Sequence, residues 1–208
     1  MKLIVQIIFV LSAMILSVEA LAQQLVEAEL RQGYYAAVSA SAGVGRADDE
    51  DLGGLGSGLD AGGRIRLGQM FSPRWGAGLL LVGGSSSNGT FDGIGGGAGL
   101  ELTLYPFEQF DLSLRPSVGL LVTGFSRQES QLETSDDPGS LYAARIASTA
   151  AYDLWCWSDV AESGGQCLSF GIDVALAEAD GLRAVTGVAL IEVQGFWGLA
   201  KRRLSGSR

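Results

Sequence analysis

The residues with the clearest chemical potential are charged side chains spaced two positions apart in segments that otherwise carry little charge. Because side chains two residues apart share one face of a β-strand, these groups should lie together on one face. Equal numbers of opposite charges predict a network of ion pairs, in which we expect Glu101 to bind Arg115. The network comprises four arginines and four carboxylates: Arg64, Arg66, Arg115, Arg145, Glu101, Asp111, Asp153 and Asp173.

The composition argues against enzymatic, cofactor and nucleic-acid chemistry. The chain has no histidine, which removes Ser-His-Asp and Cys-His catalysis and every histidine metal site. The glycine-rich segments 54–58 and 95–99 lack the Gly-Lys-Ser/Thr ending of a phosphate-binding loop. A net charge of −9 opposes nucleic-acid binding, which is driven by positive charge. We therefore predict a protein that is not an enzyme, with no catalytic residue, no metal and no cofactor.

The first residues have the pattern of a secretory signal peptide. Lys2 precedes an apolar stretch over 3–16, and Ala20-Leu21-Ala22 fits an A-x-A cleavage site. The alternative is a membrane-anchoring helix, but the stretch is shorter than the ~20 apolar residues that a span needs. We expect residues 1–22 to be removed on export, which leaves 23–32 as a lead-in to the folded part.

Export bears on the two cysteines, Cys156 and Cys167. An exported chain meets an oxidising compartment, which favours a disulfide. The bridge would close the loop-like stretch between the two residues. The alternative is two free thiols, whereas two cysteines without further Cys or His ligands are too few for a metal site.

The main body of the chain alternates between polar and apolar residues with a period of two, which is typical of β-strands. In one such segment Leu112 and Leu114 alternate with Ser113 and Arg115. Most segments exceed the usual ~5–6 residues of a soluble strand and suit the ~9–11 of a tilted membrane strand. The predicted strands are about 33–45, 59–69, 75–84, 95–105, 110–125, 141–154, 167–179 and 182–197.

Matching like faces across neighbouring segments predicts the pairing of several strands. Asp180-Gly181 is the sequence of a two-residue hairpin turn and fixes the last pair of strands. The expected cross-strand pairs are Leu67 with Ala77, Glu101 with Arg115, Leu102 with Leu114, and Ile172 with Ala189.

Three residues fit this pairing poorly. Pro116 lies inside a long strand, where it removes a ladder donor, so a bulge or a missing bond is expected there. Val188 and Leu190 would fall on the otherwise polar face.

Alternation alone does not decide whether the apolar face points inward, as in a soluble binding barrel, or outward toward lipid. The lengths of the connections favour lipid, because 45–58, 83–94 and 126–140 are long whereas 70–74 and 106–109 are short. Aromatic residues also gather at one end, where a girdle at the membrane–water interface is expected; the alternative is a hydrophobic plug. The girdle comprises Tyr34, Trp75, Tyr105, Phe110, Trp155 and Trp197.

Strands in hydrocarbon must close, because lipid offers no partner for an unpaired backbone group. An eight-stranded barrel has an interior just wide enough for its own side chains. We therefore predict an all-β protein: an eight-stranded antiparallel up-and-down transmembrane β-barrel over 33–198 with a plugged, charged lumen. Residues 199–208 form a basic C-terminal tail.

The signal peptide, strand number, loop asymmetry and charged lumen together resemble small bacterial outer-membrane barrels, namely the OmpA transmembrane domain, OmpX and opacity-type proteins. The resemblance implies an outer-membrane location, with membrane lipids and lipopolysaccharide as partners. Such barrels often end in a terminal Phe, whereas here Phe196 and Trp197 are followed by eleven further residues, 198–208. Lipid-facing alternation on all strands suggests a monomer.

Acidic runs at 48–51 and 129–137 would lie in external loops, where they gather cations or bind an extracellular ligand, or are simply solvated charge. The first functional hypothesis is a non-enzymatic envelope-structural or surface-interaction protein. The alternatives are a narrow, porin-like solute channel, a soluble periplasmic lipocalin-like binding barrel and a membrane-embedded lipid A hydrolase. The absence of histidine argues against a histidine-dependent deacylase.

Overall fold

A computed structural model describes residues 31, 33–49, 53–87, 91–107, 111–127, 141–158, 164–179 and 182–197. All eight predicted strands are present within these ranges. They are β1 Gly33–Asp49, β2 Gly53–Ser72, β3 Trp75–Ser87, β4 Phe91–Leu104, β5 Leu112–Arg127, β6 Leu141–Ser158, β7 Gly164–Ala179 and β8 Leu182–Trp197. The described ranges hold no helix long and apolar enough to cross a bilayer.

The eight strands form one closed antiparallel barrel, in which each strand pairs with its sequence neighbours and β1 also pairs with β8. The all-β, up-and-down fold class predicted from the sequence is thus confirmed. Cross-strand pairs that are followed once around the barrel from Ser57 return to β2 at Leu67, ten residues further along. A stagger of this size accompanies the ~35–45° strand tilt of closed barrels.

The barrel has two distinguishable ends. The terminal end carries the start of β1, the end of β8 and the connections 73–74, 105–111 and 159–163. The loop end carries the connections 50–52, 88–90, 128–140 and 180–181. Residues 1–30 and 198–208, which include the predicted signal peptide and tail, lie outside the described residues, as does most of the predicted acidic loops.

The strands extend further toward the loop end than we predicted. The long connections expected at 45–58 and 83–94 are wrong, because β1 and β2 continue to Asp49 and Gly53, and β3 and β4 to Ser87 and Phe91. These extensions are rich in Gly and Ser and lack alternating hydrophobicity. Backbone ladder bonds do not need that alternation, so the strands continue where the sequence signal stops.

The predicted register is confirmed for β7 and β8, where Ile172 pairs with Ala189. It is wrong by two residues in the other two hairpins, since Leu67 pairs with Leu79 and Glu101 with Ser117. Only an odd slip moves side chains to the other face, so a slip of two satisfies the hydrophobic pattern equally well. The two-residue turn signal Asp180-Gly181 in the sequence removed this ambiguity for the last hairpin alone.

Pro116 faces outward, and the pairs of β4 with β5 skip from Glu101↔Ser117 to Leu104↔Leu114 at its level. The predicted loss of ladder bonding there is confirmed. Val188 and Leu190 are buried on the inner face, as their parity predicted.

Apolar side chains predominate on the outward faces of the strands and polar ones on the inward faces, with Leu80, Val188 and Leu190 as apolar residues buried inside. Ile172 is 56% exposed, whereas the neighbouring Asp173 is 1% exposed. Leu114 and Arg115 show the same contrast on β5, at 39% and 1%. Between its two ends the barrel is therefore inside-out relative to a soluble protein, with its charged groups in the interior.

Candidate functional site

The interior of the barrel is organised in layers of ion pairs, and the middle layer centres on Arg66. From β2 this side chain donates from Nε to Oε1 of Glu101 (2.6 Å) and from Nη1 to Oε1 of Glu192 (2.9 Å). Its Nη2 donates to the hydroxyl of Thr103 (2.9 Å). The guanidinium also lies over the ring of Tyr35, 5.2 Å from its centroid.

Arg115 enters the same layer from β5. Its Nη1 donates to Oε1 of Glu192 (2.5 Å) and its Nη2 to Oε1 of Gln194 (3.5 Å). The predicted bond between Arg115 and Glu101 is therefore wrong: Glu101 pairs with Arg66, and Arg115 with Glu192. The two-residue shift in register places Ser117, rather than Arg115, opposite Glu101.

A second layer closes the terminal end. Arg31, which precedes β1, donates from Nη2 to Asp111 (2.5 Å) and Asp153 (3.1 Å) and stacks 4.1 Å from the ring centroid of Tyr105. Asp153 also accepts hydrogen bonds from Ser169 (2.6 Å) and from the Tyr105 hydroxyl (3.3 Å). Tyr105 lies one residue beyond the end of β4, and burial together with the Asp153 carboxylate raises the pKa of its phenol. The phenol therefore stays protonated and acts as a donor.

Apolar side chains fill the space around this layer. They form a buried cluster of Tyr35, Met70, Tyr105, Cys167 and Phe196.

The third layer lies nearer the loop end and is built on Asp173 of β7. Its carboxylate pairs with Arg64 of β2 (2.5 Å), accepts a bond from Thr149 of β6 (2.6 Å), and pairs more loosely with Arg145 of β6 (3.2 Å). Arg64 also donates to Thr149 (3.0 Å). Two arginines thus share one carboxylate, which leaves this layer with an excess of positive charge.

A cavity of about 230 Å³ lies on the loop-end side of the third layer, and we call it the vestibule. Its charged lining comprises Asp60 and Asp173 together with Arg46, Arg64 and Arg145. Most of the remaining wall is glycine, alanine and serine, because the inward positions of the strands carry small residues at this end. The space exists because these side chains are too short to meet across the barrel.

Some inward glycines are instead required by close packing of the strands. A Cβ at Gly99 of β4 would lie 2.5 Å from the carbonyl oxygen of Val118 on β5. That distance is below van der Waals contact, so the two strands can pair closely only with glycine there.

The eight charged residues singled out from the sequence all project into the interior. Six are buried, whereas Asp111 and Arg145 are partly exposed. The sequence reading missed Arg31, Glu192 and Gln194, which complete these layers. Glu192 and Gln194 share the inward parity of Val188 and Leu190, and that parity was the available signal; Arg31 lies outside any strand pattern.

The predicted disulfide is present between Cys156 of β6 and Cys167 of β7. The two residues are directly paired across the strands, with 4.1 Å between their Cα atoms. Half of the ten-residue segment 157–166, which the sequence suggested as a loop, is strand: 157–158 end β6 and 164–166 begin β7.

Four of the six predicted girdle residues point outward at the terminal end: Tyr34, Trp75, Trp155 and Trp197, each at least 47% exposed. Tyr105 does not, because it is 3% exposed and belongs to the interior layer described above. Its parity with Glu101 and Thr103 sends the side chain inward. Phe110 lies outside the described residues.

No protein-family model matches the chain, and no curated protein matches it. Solved structures similar to it include Ail, the attachment invasion locus protein of Yersinia pestis, at 11% identity and a TM-score of 0.48, covering 78% of this chain and 99% of that one. Neisserial surface protein A is similar at 14% identity and a TM-score of 0.45, covering 77% and 96%. The outer membrane protein OprG from Pseudomonas aeruginosa is similar at 13% identity and a TM-score of 0.43, covering 81% and 97%. At these identities the comparison concerns the fold alone.

Proposed function

We propose that this chain is a bacterial outer-membrane protein whose barrel crosses the bilayer with its apolar face toward lipid. The observation that carries the proposal is the inverted distribution of side chains on the closed barrel. Outward residues such as Leu120 and Ile146 are 67% and 63% exposed, whereas Arg66 and Glu192 are 2% exposed inside. In water the opposite arrangement would be favoured, because apolar side chains are driven inside. In hydrocarbon the observed arrangement is required, because a charge facing lipid is costly.

Both edges of the apolar belt support this placement. At the terminal end the outward tryptophans fit an interfacial girdle. At the loop end the outer surface becomes charged, with exposed ion pairs between Arg46 and Asp48 and between Arg183 and Glu178, each 3.1–3.2 Å long. We infer that the terminal end faces the periplasm and that the loop end meets lipopolysaccharide. Export by residues 1–22 and a monomeric state belong to the same proposal.

We further propose a non-enzymatic role in envelope structure or surface interaction, exerted through the loop end. Among the described residues, the two layers around Arg31 and Arg66 occupy the terminal-end half of the interior, and we infer from them that no continuous water path crosses the barrel. The soluble lipocalin-like alternative needs an apolar interior, which is the reverse of the arrangement here. An extracellular ligand of the acidic loops remains part of this proposal.

A narrow solute channel is the second candidate, and the vestibule favours it because half of a passage is already open. The other half would require the Arg66–Glu192–Arg115 contacts to separate. Single-channel recording in planar bilayers distinguishes the two: a plugged barrel gives no resolved steps, whereas regular conductance steps would establish the channel.

The location is tested by cell fractionation together with a matched pair of arginine substitutions on neighbouring residues of β5. Leu120→Arg places a charge on the outer face, where lipid contact is expected to cost about 2–4 kcal/mol. Leu121→Arg places the same charge inside, beside the vestibule. Loss of the folded, heat-modifiable form for the outward variant alone supports a membrane barrel. A protein that fractionates as soluble, or an outward arginine that is tolerated, contradicts it.

A further inference from the structure

The vestibule has charged groups of both signs on opposite walls. Asp60 lies on β2 and Arg145 on β6, which are four strands apart in a ring of eight. Both side chains line the cavity. Groups so placed face each other across the interior rather than along one wall.

The stagger of the barrel brings these two residues to the same level. The pairing path from Asp60 runs through Gly43, Val188 and Asp173 to Thr149 on β6. The path shifts toward the terminal end by ten residues in a full turn, and therefore by about five residues in the half turn from β2 to β6. The position on β6 at the same height as Asp60 is thus five residues before Thr149, at residue 144. Arg145 is the adjacent inward-facing position on β6.

Neither group is saturated by the protein. Asp60 has no hydrogen-bond or ion-pair partner among the described residues: its Oδ2 is buried in the wall without a partner, so a solute in the cavity would meet the other carboxylate oxygen. Within the same ranges Arg145 has one ion pair, the 3.2 Å contact with Asp173, which Arg64 holds more tightly at 2.5 Å. A guanidinium has five N–H donors, so Arg145 retains donors for a further acceptor.

The floor of the vestibule is closed by polar side chains, and its walls carry mostly small side chains. Arg64, Thr149 and Asp173 bind one another beneath it. Its volume of about 230 Å³ is below the ~300–1,000 Å³ of ordinary ligand pockets. An occupant must therefore be small and must enter from the loop end.

We propose that the vestibule binds a small zwitterionic solute, whose cationic group pairs with Asp60 and whose anionic group pairs with Arg145. A solute carrying both charges satisfies both walls at once, and each contact is a charge-assisted hydrogen bond. A simple anion would leave Asp60 unpaired, and a simple cation would add to the positive excess around Asp173. This binding role goes beyond the proposed envelope function and does not depend on the barrel being a channel.

The test uses the refolded full-length barrel in detergent micelles, with glycine as the probe and backbone amide NMR signals as the readout. The signals of Gly45, Ala177 and Thr186, which line the vestibule, should shift saturably, with a millimolar dissociation constant for so small a solute. The signals of Ser113 and Ser169, in the terminal-end half, should not shift. Acetate and methylammonium at the same ionic strength should each bind about tenfold more weakly, since each makes only one of the two contacts.

Two variants assign the contacts. Asp60→Asn should lower the affinity for glycine about tenfold and remove the preference for glycine over acetate. Arg145→Gln should remove the preference for glycine over methylammonium, which keeps the test available if one variant fails to fold. Glu178→Gln is the matched control, because this carboxylate lies on the outer surface in an exposed pair with Arg183. The proposal is overturned if glycine gives no saturable shift in the vestibule, if acetate binds as well as glycine, or if both variants leave the affinity unchanged.

Discussion

The two halves of the barrel interior are built from different side chains, although the same eight strands run through both. The terminal-end half is filled by long charged and aromatic residues whose partners come from distant strands. The loop-end half is lined by glycine, alanine and serine around the vestibule. A barrel of fixed diameter can thus be solid at one end and hollow at the other, because only the length of the inward side chains changes.

The largest loss of folding stability is expected on substitution of Glu192, which bridges Arg66 and Arg115 in the filled half. Glu192→Gln leaves buried positive charge uncompensated, so the free energy of unfolding should fall by about 3–5 kcal/mol. Urea titration of the barrel in lipid or detergent measures this loss. The matched control is Glu178→Gln at the exposed loop-end pair, which should cost less than about 1 kcal/mol. Equal losses for the two variants would show that the filled half owes nothing to its ion pairs.

The disulfide adds a covalent constraint to the terminal end. Replacing both Cys156 and Cys167 by serine should lower the free energy of unfolding by about 3 kcal/mol, the chain-entropy value for a closed loop of this length. The same loss is expected when the wild-type protein is unfolded in the presence of dithiothreitol. If the reductant has no effect on the serine variant but destabilises the wild type, the bridge accounts for the change.

The smallest effect is expected from the same substitution, alanine to leucine, made once in each half of the interior. Ala151 is 1% exposed on the inner face of β6 in the filled half, and Ala151→Leu should cost about 1–3 kcal/mol through overpacking. Ala177 lines the vestibule, so Ala177→Leu should change the free energy of unfolding by less than about 0.5 kcal/mol. Denaturant midpoints compare the two variants at equal slope, and similar costs would mean that the two halves are packed alike.

Strand identity and the face of each side chain were predictable from the sequence, because both follow from parity. Arg64, Arg66 and Asp173 lie inside for the same reason that Ile65 and Ile172 lie outside. The partners of these charges were not predictable, because ion pairs form across the barrel and depend on the register of several hairpins together. A two-residue slip in register leaves every side chain on its predicted face but changes which residues Glu101 and Arg115 bind.

Other parts of the interior left weaker signals. Glu192 shares the inward parity of Val188 and Leu190, and those two apolar residues made the polar face of β8 difficult to recognise. Arg31 precedes the first strand and belongs to no alternating pattern. The vestibule depends on the absence of side chains at the loop end, and runs of glycine there suggested loops rather than an open interior.

The sharing of Glu192 between two arginines has a consequence for the order in which the barrel assembles. Glu192 lies on the last strand, whereas Arg66 and Arg115 lie on the second and fifth. In an intermediate that lacks β8, Arg115 would have neither of its interior partners, Glu192 and Gln194, and in the membrane that we propose for this barrel an unpaired charge is costly. Docking of the final strand therefore neutralises the centre of the molecule at the same step that joins β8 to β1, and partly closed forms are disfavoured by electrostatics as well as by unpaired edges.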